Sequence, residues 1–367
     1  MKEWSSKWNP FNSDKLMAHV YKWKQIKRGK KIPAPVLVTV DPTNVCNLHC
    51  KWCNADFIQK QNQNSLSKKT LRDIADFIKK WGVESVCIAG GGEPTLNPHT
   101  SDFINRCSKN GIKIGIVTNG TLIDKHLESL KKCTWVGVSI DAGTPKTYKK
   151  LKGADKFNQV IKNIIKLNKV QKGELFKPGQ GHGVSYKYLL HPGNIKDVFK
   201  AAKIAKQIGC RNLHIRPFGE PWDKIGKVED KFSYSDIKEF REQLIKARKL
   251  EDKNFRVFGI THKFDGDFRR KNDFKNCYAI FMTGVFSPPS SKGNFDYGMC
   301  CDRRGDKNLT LKDLTKPKQV KSFWGSKNHW KVFDKIKVKE CPRCTYQPHN
   351  QIFEKVILED NTTYEFI

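Results

Sequence analysis

The stretch Val36-Leu37-Val38-Thr39-Val40-Asp41-Pro42-Thr43-Asn44-Val45-Cys46-Asn47-Leu48-His49-Cys50-Lys51-Trp52-Cys53 decides how the chain is read. Val36–Val40 is the β-branched run of a buried strand, and Asp41-Pro42-Thr43-Asn44 ends it. Three cysteines then fall on the following loop, spaced C-x3-C-x2-C. Thiolates are the usual ligands of iron–sulfur clusters, and close spacing lets one loop wrap one cluster. A [4Fe–4S] cube bound by three cysteines keeps one iron without a protein ligand. Catalytic metal sites need such an open position and structural sites avoid it. Zinc on the same loop would need His49 or a distant fourth ligand.

This loop resembles the signature of the radical S-adenosylmethionine (radical SAM) family, in which the open iron binds SAM. The last cysteine of that signature usually follows an aromatic, and Trp52 stands in that place. The resemblance implies a [4Fe–4S] cluster on Cys46, Cys50 and Cys53, SAM as second cofactor, and Trp52 packed on the cluster or the adenine.

Outward from this loop, short apolar runs alternate with helical periodicity, the pattern of a parallel α/β sheet or barrel. Strands are expected at Val36–Val40, Ser85–Ala89, Lys113–Thr118, Trp135–Ile140, Gly183–Leu190 and Asn212–Arg216. Helices are expected at Ser67–Trp81, Pro98–Asn110, Asp124–Lys132, Lys156–Val170 and Ile195–Ile208. Ser67 and Asp124 suit N-caps, and Gly82, Gly111 and Gly209 suit helix stops. Element counts alone also allow a doubly wound sheet; the resemblance implies a partial (β/α)6 barrel.

In such folds, functional residues sit on loops at the C-terminal ends of strands. Gly90-Gly91-Gly92-Glu93-Pro94, Thr118-Asn119-Gly120, Ser139-Ile140-Asp141 and Arg216-Pro217 all occupy strand ends. The triple glycine before a carboxylate offers bare backbone for close approach. It looks like the family's GGE motif, which implies that Gly91, Gly92 and Glu93 hold the amino group of SAM. Thr118, Asn119, Ser139 and Asp141 are candidates for the ribose or the SAM carboxylate, although such residues also form turns. Arg216 suits a carboxylate through its two-pronged fork. Lys187 and Ser185 meet substrate or SAM only if they face the barrel interior. Cys87, Cys107, Cys133 and Cys210 read as small buried hydrophobes.

A second group of cysteines follows: Cys277, Cys300, Cys301, Cys341 and Cys344, with Cys341-Pro342-Arg343-Cys344 as a C-x2-C turn. Tyr278–Phe286 and Tyr297–Cys300 read as a hairpin with a cysteine near each end. Four such cysteines can fill every corner of a cluster. This resembles the twitch domain, a shortened SPASM domain, and implies an auxiliary [4Fe–4S] cluster on Cys277, Cys300, Cys341 and Cys344. Cys301 adjoins Cys300, so the second ligand is open between them, and tetrahedral zinc suits four thiols equally.

The expected organisation is a helical cap over 1–35, a partial barrel over 36–230 and a small C-terminal cysteine-rich α+β unit over 231–367. In the cap, Asn12-Ser13-Asp14 offers an N-cap before helical periodicity from Lys15 to Arg28. Pro217, Gly219, Pro221 and Gly226 mark a linker, followed by a helix at Ser235–Leu250 and a strand at Phe255–Ile260. Twelve cysteines without a signal-peptide pattern or long apolar run argue for a reducing, cytoplasmic setting and no membrane span. The formal net charge of +32 is spread along the chain without aromatic interleaving, which reads as a solvated surface rather than a nucleic-acid platform.

The function expected from the resemblance is an iron–sulfur oxidoreductase that cleaves SAM to a 5′-deoxyadenosyl radical. The radical abstracts hydrogen from a small polar substrate such as a sugar, cyclitol or nucleotide-linked sugar. The auxiliary cluster would complete a two-electron oxidation, and a flavodoxin- or ferredoxin-like protein would supply electrons. Peptide or protein modification and redox-neutral epimerisation are the alternatives, ahead of a nucleic-acid-binding iron–sulfur protein.

Overall fold

The structure is a computed structural model that describes residues 13–171, 183–219, 222–224, 232–259, 272–341 and 344–358. Asn12, Pro221, Gly226, Ile260 and the pair Pro342-Arg343 lie outside the described residues.

Ten strands form one sheet: β1 Leu37–Val40, β2 Ser85–Ile88, β3 Lys113–Thr118, β4 Trp135–Ser139, β5 Val184–Leu190, β6 Asn212–Pro217, β7 Arg256–Gly259, β8 Val285–Ser287, β9 Phe295–Gly298 and β10 Thr310–Leu314. Their spatial order is β10-β9-β8-β1-β2-β3-β4-β5-β6-β7. Pairing is parallel from β8 through β1 to β7, and β8–β9–β10 is antiparallel. The sheet is therefore an open one with edges at β7 and β10, and the six expected strands occupy its centre.

The helices, in chain order, are α1 Val20–Trp23, α2 Asp56–Gln61, α3 Lys68–Trp81, α4 Thr100–Lys109, α5 Leu127–Leu130, α6 Pro145–Lys152, α7 Phe157–Gln171, α8 Val198–Gln207, α9 Tyr234–Arg248, α10 Lys318–Phe323, α11 Lys327–Lys335 and α12 Gln347–Ile352. Ser67 caps α3 by accepting from the Thr70 N–H, and Gly82 ends it in the left-handed region at φ +96°.

Strand alternation divides the sheet into two faces. Val38, Val40, Val86, Ile88, Ile114, Ile116, Val136 and Val138 are fully buried and share one core with Ile74 and Ile78 of α3, Phe103 of α4 and Ile164 of α7. Burial of each such side chain contributes about 1.5–3 kcal/mol. The other face carries Thr39, Cys87, Trp135, Ser139, Ser185, Lys187, Asn212, His214 and Arg216, which line the interior. Lys187 thus faces inward: it hydrogen-bonds His214 and lies 5.7 Å from the Trp135 ring centroid.

Several elements differ from expectation. Asp124 lies in a 3-10 turn, and α5 begins after His126. The segment Pro145–Lys152 is a helix that apolar periodicity did not reveal. Tyr278–Phe281 is a 3-10 turn rather than hairpin strand, because its aromatic rings pack on Trp330 and Phe333 of α11 and on Phe353 just after α12. Strand β7 pairs with β6 and extends the main sheet by one strand. Strand β8 adds to the β1 edge, where Thr39 pairs with Val285 and Val40 with Phe286. The late cysteine region is thereby built onto the strand that feeds the first cysteine loop.

Candidate active site

The loop Cys46–Cys53 leaves β1 at the C-terminal rim and is held from three sides. Gly92 and Glu93 donate their N–H groups to the Thr43 and Val45 carbonyls, at 3.0 and 2.8 Å. A Cβ on Gly92 would sit 2.0 Å from the Val45 carbonyl oxygen, so only glycine permits this approach. From the second side, Asn119 Nδ2 donates to Asn47 Oδ1 at 2.8 Å, and Asn47 Nδ2 donates to Thr121 at 3.0 Å. On the third side α6 abuts the loop: the His49 and Lys51 N–H groups donate to the Lys152 and Leu151 carbonyls.

The expected SAM-contacting residues gather on this rim, several of them already engaged. Glu93 is buried, and its carboxylate accepts from Thr118 Oγ1, Thr95 Oγ1 and the N–H groups of Thr95 and Asn119. Asp141 adopts φ +59°, accepts from the Leu189 N–H at 2.7 Å and pairs with buried Lys152 at 2.5 Å. Burial opposes the Lys152 charge, but Asp141 and a thiolate at Cys50 hold its pKa above the usual value. Trp52 stacks on His191, with ring centroids 4.0 Å apart and 14° from parallel. Ser139 is half-buried at the end of β4, its hydroxyl without a hydrogen-bond partner among the described residues, and Arg216 is half-buried on the same face as His214.

The three loop thiols fit a metal cluster by their surroundings. Burial pushes Cys46 up to about 11, with Glu93, Cys50 and Cys53 adding to the cost of its charge. Three adjacent thiolates need a compensating cation, which bound iron provides. Gln59 Nε2 lies 3.7 Å from Cys53 Sγ and also donates to the Gly91 carbonyl, tying sulfur to glycine loop.

The late cysteines converge in the same way. Burial raises Cys277 to about 12, with Cys341 adding, and places Cys300 and Cys344 well above the usual thiol range. Cys277 and Cys300 both act on Cys344. Arg303 Nη1 lies 3.7 Å from Cys341 Sγ, and Asn350 Nδ2 lies 4.0 Å from Cys344 Sγ, as donors placed around cluster sulfurs do. Four thiols suit tetrahedral zinc as well as they suit a cluster.

Cys300 and Cys301 differ in the groups they act on. Burial raises Cys300 most, followed by Cys301, Asp302 and Cys277, while Cys301 also acts on Cys87 and Tyr346 toward the sheet interior. The expected outcome is that Cys300→Ala drops reconstituted iron from about eight to about four per chain, while Cys301→Ala keeps about eight. Iron and sulfide analysis checks this, and the reverse pattern would reassign the ligand.

Between the two cysteine groups lies a small cavity of about 70 Å³ lined by Asp41, Asn44, Gly91, Cys300 and Arg304. Asp41, four residues before Val45, binds Arg304 through both carboxylate oxygens at 2.6 and 3.2 Å. Arg304 also donates to the Cys301 carbonyl at 2.6 Å. Gln59, Lys152, His191, Arg303 and Arg304 were not anticipated; the only sequence signal was Arg303-Arg304 directly after Cys300-Cys301-Asp302.

An open parallel sheet with a three-thiol loop and a glycine–glutamate loop at its C-terminal rim defines an α/β enzyme that holds an open-sited metal cofactor. Comparison with known proteins gives the family. The Radical SAM superfamily model matches residues 40–193. A probable GTP 3′,8-cyclase of Methanocaldococcus jannaschii is 30% identical over 267 residues, covering 70% of this chain and 84% of that protein. One from Saccharolobus islandicus is 27% identical over 223 residues, 58% of this chain and 67% of its own. Among solved structures, Streptococcus suis SuiB bound to S-adenosylmethionine superposes with TM-score 0.63 at 18% identity, over 88% of this chain and 72% of that one. Native anSMEcpe with bound AdoMet superposes with TM-score 0.58 at 18% identity, over 82% and 83%. The chain belongs to the radical SAM superfamily, and its cofactors are a [4Fe–4S] cluster and SAM. Among the described residues no helix is long and apolar enough to cross a membrane.

Proposed function

We propose that this radical SAM enzyme oxidises a small polar substrate by two electrons, with a nucleotide-linked sugar as the favoured class. When bound, the cluster supplies the electron that splits SAM into methionine and a 5′-deoxyadenosyl radical. Cys46, Cys50 and Cys53 would hold it, and Ser139, Arg216 and the Gly91–Glu93 loop would orient SAM. Lys187, His214 and Trp135 line the space beyond them and would meet the substrate.

The observation that supports the oxidation is that Cys277, Cys300, Cys341 and Cys344 lie close enough to raise one another's cost of ionisation, in a region that β8 joins to the β1 edge. A cluster with four protein ligands has no open iron for substrate, so any part it takes in the reaction is electron transfer. The Asp41–Arg304 pair spans the two loops, and an external reductant would serve the first. A second reading, redox-neutral rearrangement of a purine nucleotide, is favoured by the names of the relatives, which are probable GTP 3′,8-cyclases.

The test is anaerobic incubation of reconstituted enzyme with SAM, dithionite and a panel of nucleotide sugars, cyclitols and GTP. A substrate raises 5′-deoxyadenosine above the abortive rate. A product lighter by two hydrogens, lost in Cys341→Ala/Cys344→Ala, is the expected result. A product of unchanged mass from GTP would replace the oxidation with the rearrangement.

A further inference from the structure

We propose that the exposed face of α6, with Lys51 beside it, is the docking surface for an acidic electron-transfer protein carrying a low-potential flavin or iron–sulfur centre. The proposal rests on the radical SAM assignment, which requires one electron per SAM cleaved, and adds where that electron enters.

Position is the first argument. Helix α6 ends against the three-thiol loop, and its Leu151 and Lys152 carbonyls accept from Lys51 and His49, the two residues that flank Cys50. Tyr148, Leu151 and Lys152 face inward, and Lys146, Lys149 and Lys150 face out, with Lys51 and His49 also exposed. A partner on this face stands one short helix away from the cluster loop.

Charge is the second. Lys146 and Lys150 have no acidic partner among the described residues, and Lys149 has only the exposed Asp155 at 3.6 Å. Exposed pairs of this kind neutralise little. Elsewhere the basic surface is mixed: on α3 and α4, Lys68 pairs with Asp102, Lys69 with Asp73 and Arg106 with Asp76, while Lys79, Lys80 and Lys109 have no ion pair among the described residues. The net charge of +32 is general, and what sets Lys146, Lys149 and Lys150 apart is their place on the helix that abuts the three-thiol loop. Cationic patches steer acidic partners and raise their association rates.

Chemistry selects the partner class. The donor centre loses one electron and the three-thiol cluster gains it, so no further co-reactant is needed. A single-stranded nucleic acid would want exposed aromatic platforms, and the exposed large apolar residues, Met17, Tyr21, Tyr234, Ile245, Val356 and Leu358, are all elsewhere.

The experiment is stopped-flow reduction of the reconstituted protein by photoreduced flavodoxin of negative net charge. Wild type is compared with Lys146→Glu/Lys149→Glu/Lys150→Glu and with a control, Lys79→Glu/Lys80→Glu/Lys109→Glu, at the far ends of α3 and α4. The second-order rate constant is expected to fall at least about tenfold in the α6 variant and less than about twofold in the control, and to fall with added salt in wild type. Dithionite, which needs no docking, is expected to support equal SAM cleavage in all three. Equal flavodoxin rates in all three, or an equal fall in both variants, would overturn the proposal. Loss of dithionite-driven cleavage in the α6 variant alone would overturn it in favour of a structural role. Failure of dithionite in wild type would strike the radical SAM assignment and the proposal together. Retention of single-stranded RNA lost only in the α6 variant, with flavodoxin rates unchanged, would make the face a nucleic-acid surface instead.

Discussion

Cys53→Ala is expected to abolish SAM cleavage while leaving the fold intact. Cys53 sits half-buried at the end of the loop, outside the hydrophobic core, and its sulfur is approached by Gln59. Removing it takes one of three thiols from the candidate cluster site. Because the cofactor carries the difficult chemistry, the rate should fall at least about a thousandfold, to assay background. The control is Cys107→Ala: Cys107 is fully buried on α4 among apolar neighbours. That variant should lose stability by packing but keep its iron and its SAM cleavage. Measurement of 5′-deoxyadenosine with dithionite, beside iron content and circular dichroism, separates the two. Retained cleavage in Cys53→Ala would sink the ligand assignment.

Arg304→Met is expected to cost about 3–5 kcal/mol, the usual consequence of leaving one member of a buried pair without its partner. Asp41 is 1% exposed, and burial there opposes an unpaired carboxylate. The pair also ties β1 to the chain after Cys301, while the Asp41 N–H donates to the Phe286 carbonyl of β8 at 2.8 Å. Loss of Arg304 should therefore loosen the late cysteine region first and lower auxiliary iron before it lowers the first cluster. Asp41→Asn/Arg304→Met should recover most of the stability, because no charge is then stranded. Denaturant midpoints for the single and double variants, read with iron content, check this. A double variant no better than the single would mean that Arg304 acts through packing or through the Cys301 carbonyl.

Much of this architecture was legible in the chain. The six central strands and the stops at Gly82, Gly111 and Gly209 followed from apolar runs and from glycine's tolerance of positive φ, which these three adopt. Those signals are local, so sequence carries them. The 3-10 turn at Tyr278–Phe281 was misread as strand because apolar composition does not fix conformation where packing decides it. Helix α6 escaped because four of its eight residues are lysines and it faces solvent on one side.

The sequence by itself determined the chemistry available: three thiols on one loop, four thiols later, a glycine-rich turn beside a carboxylate and a reading frame of strands to carry them. Tertiary structure decided what those groups touch. Only the fold shows that Gly92 is pressed on the Val45 carbonyl, that Lys152 reaches Asp141 beside Cys50, and that Asp41 joins Arg304 from 263 residues away. The physical reason is that spacing fixes which donors a loop can present. Pairing across distant loops depends on sheet order, and the addition of β8 to the β1 edge brings the two cysteine regions to one place.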